Sequence, residues 1–295
     1  MSRAQVTQIF QQLHQQDTAS SPRVLFVYAH PDDEAIAVGG QLPLFRNALF
    51  LQVTDGAPAD NADGTRLGLS RDEYRATRAL ELRAAFAAGG LPEARHRSLN
   101  LSDKEAAYHL ASLVQDITKT LQSEQPDVVF THPYEAGHVD HDACAFAVHQ
   151  AVASLPGKQP LIVESPFYFD DHLGNFTTGA FLQERDGEAC DFPLTPAQRE
   201  SKEAVFAAFE TQRGILDLFG PALHTERFRV APAYDFRQPP HPWPAYYQRF
   251  IPGLNPSRFC ELATAAISEL QPHNSAAPHN PAAAQGAAAA QGGAA

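Results

Sequence analysis

Short apolar runs alternate along the chain with longer stretches in which apolar positions recur at helical spacing. Residues 23–28, 48–54, 96–101, 127–132 and 161–169 read as strands, the first being the wholly apolar run Val24-Leu25-Phe26-Val27-Tyr28 of a buried strand. Between them lie predicted helices. One spans residues 34–47 and is weakened at Gly39-Gly40. A second opens at Ser70, with Glu73 completing a capping box, and ends at Gly89-Gly90. A third is expected from a Ser102/Glu105 capping box to about residue 123, and a fourth covers residues 138–154. A fifth covers residues 195–218, capped by Thr195 with Pro196 behind it. Residues 57–68 are polar and rich in Gly and Asp, which predicts a loop.

Strands alternating with helices of this length imply right-handed crossovers, and so an α/β fold with a mostly parallel sheet covered by helices on both faces. Ligands in such folds sit outside the carboxyl ends of the strands. The expected organisation is a polar N-terminal extension over residues 1–21, a single catalytic domain over 22–270, and a disordered Ala/Gly/Gln-rich tail over 271–295. The Pro- and aromatic-rich residues 221–256, including Trp243, Tyr246 and Tyr247, are expected to wrap the domain.

Charge and cysteine content narrow the function classes. Asp and Glu total 34 against 22 Lys and Arg, a formal net charge of -12, which disfavours nucleic acid and anionic membranes as partners. No apolar run reaches the roughly 20 residues of a membrane helix, and no secretory signal is read at the N-terminus. Cys144, Cys190 and Cys260 lie far apart and form neither a disulfide framework nor a Cys-x-x-Cys site, so a reduced cytoplasm is the expected compartment. Homo-oligomerisation is compatible with the sequence.

Two segments carry chemistry. After the first strand comes His30-Pro31-Asp32-Asp33-Glu34. His30 and Asp33, three apart on a tight turn, can meet one ion, and imidazole with carboxylate suits zinc. Asp32 points elsewhere and is free to act as a base. The bland alternative makes both aspartates helix caps and His30 a hydrogen-bonded loop residue. After the fourth strand comes His132-Pro133-Tyr134-Glu135-Ala136-Gly137-His138-Val139-Asp140-His141-Asp142. His138 and His141 share a helix face. Asp140 and Asp142 are candidates to orient an imidazole through its second nitrogen, and His132 reads as a strand-end residue. Tyr134 and Glu135 could line the pocket. Two clusters at one sheet edge, together supplying His, Asp and His, describe a zinc site with an open fourth position. Arg75 and Arg78 read foremost as solvated helix arginines paired with Glu73 or Glu81, the alternative being that one of them reaches a substrate hydroxyl or carboxylate. The chain lacks Gly-x-Gly-x-x-Gly after its first strand and Gly-x-Ser-x-Gly, against dinucleotide binding and a serine nucleophile.

The run Ala29-His30-Pro31-Asp32-Asp33-Glu34 with Gly137-His138-Val139-Asp140-His141 resembles the PIG-L/LmbE-like superfamily of zinc N-deacetylases. Thr54-Asp55-Gly56, Arg78-Ala79-Leu80-Glu81 and Tyr234-Asp235-Phe236 add weaker matches, so the resemblance spans about residues 24–236. It implies a Rossmann-like parallel sheet and hydrolysis, by metal-activated water, of an N-acyl amide, foremost N-acetyl, on a small polar substrate such as an amino sugar or sugar conjugate. Position by position it implies His30, Asp33 and His141 as ligands of Zn2+, Asp32 as general base, His138 as the group that stabilises the oxyanion and protonates the leaving amine, and Asp140 as the acid that orients it. Fe2+ or Co2+ suit the same donors. A zinc amidase cutting another acyl or conjugate amide uses the same residues, and a non-catalytic metal-binding module is the reading from another class.

Overall fold

The computed structural model describes residues 2–15, 21–184 and 188–271. In chain order its elements are α1 (Ser2–Gln15), β1 (Val24–Tyr28), α2 (Asp33–Val38), β2 (Leu49–Pro58), α3 (Ala62–Arg66), α4 (Arg71–Ala88), β3 (Arg95–Asp103), α5 (Leu110–Glu124), β4 (Val128–Thr131), α6 (Val139–Ser154) and β5 (Leu161–Glu164). There follow β6 (Tyr168–Asp170), β7 (Phe176–Thr178), β8 (Cys190–Pro193), α7 (Pro196–Ala207), α8 (Arg213–Leu216), β9 (Thr225–Val230) and α9 (Pro256–Leu270).

Seven strands form one sheet in the order β3-β2-β1-β4-β5-β9-β8. The first five run parallel, and β9 and β8 join antiparallel. The fold is therefore the α/β, mostly parallel arrangement that the alternating pattern predicts, with the Rossmann-like sheet that the resemblance implies. β1 lies between β2 and β4, so the chain steps outward from β1 on one side and returns to its other side at β4. Neighbouring loops diverge at such a reversal, and a crevice opens at the carboxyl ends of β1 and β4.

Both sheet faces are buried, one over a cluster with α5, α6 and α9 and the other over a cluster with α1, α2, α4 and α7. On the second face Phe26 of β1 stacks between Phe50 of β2 and Phe130 of β4, with centroids 4.6 and 4.9 Å away. The registers that pair Phe26 with both neighbours place those rings side by side. Each such ring contributes about 1.5–3 kcal/mol by leaving water.

Several local expectations hold. Ser70 with Glu73 and Thr195 with Gln198 both close capping boxes, whereas the helix expected over 34–47 stops at Gly39 after only six residues. All three cysteines are free and buried.

Others give way to tertiary structure. The Gln-rich segment expected as a polar extension holds α1, whose Val6, Ile9, Phe10 and Leu13 are buried. Phe10 packs 4.2 Å from Phe192 and 4.9 Å from Phe228. One narrow apolar stripe suffices to dock a helix whose composition is polar. The Ser102/Glu105 capping box does not form, because pairing with β2 as far as Pro58↔Asp103 draws Ser102 into β3. Its hydroxyl accepts from Arg71 Nη2 at 3.1 Å instead, and α5 begins only at Leu110. The expected 57–68 loop contributes to β2 and contains α3. The 195–218 helix breaks after Ala207 into short turns, and α9 adds a helix that the apolar pattern did not single out. Residues 272–295 of the expected tail lie outside the described residues. No helix among the described residues is long and apolar enough to cross a membrane.

Candidate metal centre

The two predicted segments meet at the β1/β4 crevice. Tyr28 ends β1, and the chain turns at His30-Pro31 so that Asp33 starts α2. The Asp33 carboxylate accepts the backbone N–H of His30 at 2.7 Å, which ties the two residues into one turn. On the other side His138 is the N-cap of α6, its Nδ1 accepting the backbone N–H of Asp140 at 3.2 Å. The loop that delivers it needs Gly137, since a Cβ there would lie 1.8 Å from the Tyr168 carbonyl oxygen.

His30 Nδ1 lies 3.6 Å from Asp33 Oδ2, and His141 Nε2 lies 3.5 Å from Asp33 Oδ1. Donors around a tetrahedral zinc with bonds of about 2.0–2.2 Å stand about 3.3–3.6 Å apart. The donor chemistry of the three residues therefore suits the ion, and each histidine stands at that spacing from one oxygen of Asp33. Around them, donor atoms of His30/His138/His141, of Asp33/His132/His141, of His30/Asp32/Asp33 and of His30/Asp103/His138/Asp140 each gather within 4.8 Å of one another.

Three neighbours were not given these places by the sequence. Asp103, at the end of β3, accepts from His30 Nε2 at 3.0 Å and stands 3.8 Å from His138 Nε2. His132 is fully buried and stacks on His141, centroids 3.8 Å apart at 10°. Its Nε2 accepts the Ala29 N–H at 3.0 Å and sits 3.3 Å from Asp33 Oδ2. Arg78, expected on a solvated face, is 3% exposed and donates to Asp32 Oδ2 at 3.0 Å and to the Gly56 carbonyl at 3.0 Å. The reason is geometric: α4 packs on β2, so a long side chain from its inner face reaches the turn after β1. Arg75 remains on the outer face, paired with Asp72. The clue to Asp103 was its place at a strand's carboxyl end, hidden by the capping box read there.

The Asp140 carboxylate is fully buried and accepts the backbone N–H groups of Lys104 (2.6 Å) and Ala106 (3.0 Å). It lies 3.3 Å from His30 Nε2 and 4.0 Å from His138 Nδ1. The His138 Nδ1 lone pair is taken by the Asp140 backbone, so in the neutral ring the proton sits on Nε2. Asp142 accepts from the backbone of Glu135 and Ala136 and shapes the loop. Tyr134 and Glu135 line a separate cleft of about 610 Å³ with Arg229 and Tyr234, whose lining contains none of the six predicted site residues.

Protonation follows from crowding. Burial raises Asp32, helped by the Asp33 charge and opposed by Arg78. Burial would also raise Asp33, but His141 and His132 outweigh it and hold that carboxyl well below its usual range. Burial would lower His30, yet Asp103, Asp140 and Asp33 lift it well above the imidazole range. His138 is pushed down by burial and by His30. The two predicted carboxylates thus differ: Asp33 holds its charge the more firmly, and Asp32 is the better proton acceptor.

The family model described as PIG-L, GlcNAc-PI de-N-acetylase, matches residues 25–152. A probable N-acetyl-alpha-D-glucosaminyl L-malate deacetylase 2 of Bacillus cereus is 30% identical over 154 residues, 48% of this chain and 66% of that protein. Its counterpart in Bacillus anthracis is 31% identical over 144 residues, 46% of this chain and 62% of that protein. The chain thus spans slightly less than two thirds of these relatives' length. Among solved structures, a teicoplanin deacetylase in complex with teicoplanin shares the fold with TM-score 0.55 at 20% identity, over 72% of this chain and 100% of that one. The N,N'-diacetylchitobiose deacetylase of Pyrococcus horikoshii shares it with TM-score 0.53 at 22% identity, over 78% of this chain and 92% of that one. The matched 25–152 segment contains both converging motifs, and over that segment the chain is similar to the PIG-L family.

Proposed function

We propose that the chain is a zinc-dependent N-deacetylase that hydrolyses the N-acetyl amide of a small sugar or sugar conjugate. The observation that carries this reading is the Asp33 carboxylate, with His30 Nδ1 3.6 Å from one oxygen and His141 Nε2 3.5 Å from the other, and a second, Arg78-held carboxylate beside it. Pure metal storage has no use for that second carboxylate. The deacetylases among the chain's relatives support the substrate class.

His30, Asp33 and His141 would hold the ion. When bound, zinc supplies Lewis acidity that polarises an amide carbonyl and brings the pKa of water to about 7. Asp32 receives the proton of the attacking water at the carboxylate oxygen that Arg78 leaves free, and Arg78 fixes its direction. His138 points Nε2–H, the nitrogen that carries its proton, at the reacting amide and donates a hydrogen bond to the oxyanion that develops there, while the proton that Asp32 took from water passes to the departing amine. The His138 Nδ1 is locked by the Asp140 backbone, so the ring cannot present the wrong tautomer. The Asp140 carboxylate, together with Asp103, steadies His30. General acid–base assistance of this kind accelerates hydrolysis by about 100- to 10,000-fold.

The test couples elemental analysis of the purified protein to acetate release from N-acetyl amino sugars. About one zinc per chain is expected, with acetate release abolished by a chelator and restored by zinc. Bound metal without acetate release from any N-acetyl amide would move the assignment to another acyl amide. Protein that takes up no metal would remove the reading.

A further inference from the structure

An exposed aromatic ring stands on the face of His138. Phe250 is 38% exposed, and its ring stacks on the His138 ring with centroids 5.7 Å apart at 24°. Single exposed apolar residues are ordinary. This one is part of a wall: Tyr246 lies 5.5 Å from Phe250, Tyr168 lies 5.5 Å from Tyr246, and Tyr168 lies 5.4 Å from His141. Aromatic surface thus runs unbroken from one site histidine to the other.

The segment that presents Phe250 is held from several sides. Tyr247 is fully buried, and the Tyr246 N–H donates to the carbonyl of Ala136, in the loop that delivers His138, at 3.1 Å. The Trp243 indole donates to the Asp170 carbonyl at 2.8 Å, and the Asp170 carboxylate pairs with Arg249. Arg249 in turn lies 5.1 Å over the Tyr246 ring. Phe250 is therefore a pre-organised surface that loses little freedom when a ligand covers it.

Its chemistry selects what can cover it. Phe250 carries no hydrogen-bonding group, so it offers nothing to hydroxyls. Its face offers dispersion and a negative quadrupole that attracts polarised C–H bonds lying flat on it. A saturated ring bearing several oxygens presents such a face in one rigid piece. An open-chain amine must freeze rotatable bonds to cover the same area.

We infer that Phe250 is a specificity-determining residue that receives the C–H face of a saturated ring bearing the acylamino nitrogen, so that ring-borne amides are favoured over open-chain ones. The inference rests on the deacetylase reading and names the part of the substrate that lies beyond the scissile bond. Phe250 lies outside the segment matched by the family model.

The experiment compares zinc-loaded wild type, Phe250→Ala and Phe250→Tyr for acetate release from N-acetyl-D-glucosamine and from N-acetylethanolamine. The readout is the ratio of the two kcat/KM values, which a general disturbance of His138 would leave unchanged. Wild type is expected to favour the ring amide. Phe250→Ala is expected to lower the ratio by about three- to tenfold, chiefly through KM, and Phe250→Tyr to restore it. A wild-type ratio near one, or a ratio unchanged in Phe250→Ala, overturns the inference and leaves the deacetylase reading standing. If wild type releases acetate from neither amide, that reading loses its support. Calorimetric binding of D-glucosamine then decides the inference: tighter binding to wild type than to Phe250→Ala supports it, and equal or absent binding overturns it.

Discussion

Two of the buried charge clusters in this molecule are built on opposite plans. Near the end of α2, Lys202 and Glu226 are fully desolvated and paired at 2.8 Å. Lys202 also donates to the Ile36 carbonyl at 2.8 Å, and Glu226 accepts from Gly40 N at 2.8 Å and Gln41 Nε2 at 2.7 Å. Donors meet acceptors, and the cluster closes on itself. At the β1/β4 crevice, beside the Arg78–Asp32 and His30–Asp103 pairs, some acceptors face acceptors instead. The His132 Nε2 lone pair, already used by Ala29 N–H, faces the Asp33 carboxylate at 3.3 Å, and Asp32 and Asp33 are adjacent acids. Such an arrangement is costly in a folded protein unless a cation joins it. Closed buried charge indicates architecture, and converging lone pairs indicate a site.

Variants can break this contrast at either end. The largest effect is expected from His141→Ala, which removes one of the three proposed ligands and should leave purified protein nearly free of zinc by elemental analysis. A fully loaded variant would contradict the ligand set. Asp32→Asn should retain its zinc and lose about 100- to 10,000-fold in kcat. Stoichiometric metal loss there would make Asp32 a ligand instead of the base. Lys202→Met leaves Glu226 buried without its cation and should lower unfolding free energy by about 3–5 kcal/mol, with zinc content intact. Loss of zinc with unchanged denaturation would show that the closed cluster serves the metal.

The smallest effect sharpens the intermediate case of Glu135, which has one closed oxygen, accepting Leu182 N at 2.7 Å, and one without a partner. Burial pushes this carboxyl up to about 8, against the pull of Arg229. The folded chain holds that proton more tightly than the unfolded chain, where the carboxyl titrates near 4.5. Its contribution to stability is therefore fully present below about pH 4.5 and is lost as pH rises through about 8. Glu135→Gln should flatten the fall in melting temperature across that window. An identical pH dependence in variant and wild type would mean that Glu135 does not titrate there.

Much of the site was legible in one dimension because its residues come as two compact strings. His30 to Asp33 and His138 to His141 each lie within four positions, and each follows an apolar run that could only be a strand. The residues that complete the site come singly from elsewhere. Asp103 arrives at the end of β3, where a local capping signal at Ser102 competed with strand pairing and lost. Arg78 looked like one solvated helix arginine among several, since nothing local distinguishes the face of α4 that lies against β2. The family resemblance also implied that Asp140 orients His138 through its carboxylate. In three dimensions that carboxylate turns to His30 and the Lys104–Ala106 backbone, and the Asp140 N–H contacts His138.

The sequence by itself determined the alternation of strands and helices, hence a mostly parallel sheet and a ligand edge at the strands' carboxyl ends. It also placed imidazole and carboxylate groups at that edge. Local rules suffice there, because burial period and metal-donor spacing are both properties of short segments. Only the tertiary structure decided which of the aspartates faces which histidine, which arginine reaches Asp32, and that Phe250 stands over His138. Those depend on strand order, on the angle at which α4 crosses the sheet and on how the 241–251 segment is anchored, and each is set by contacts between residues far apart in the chain.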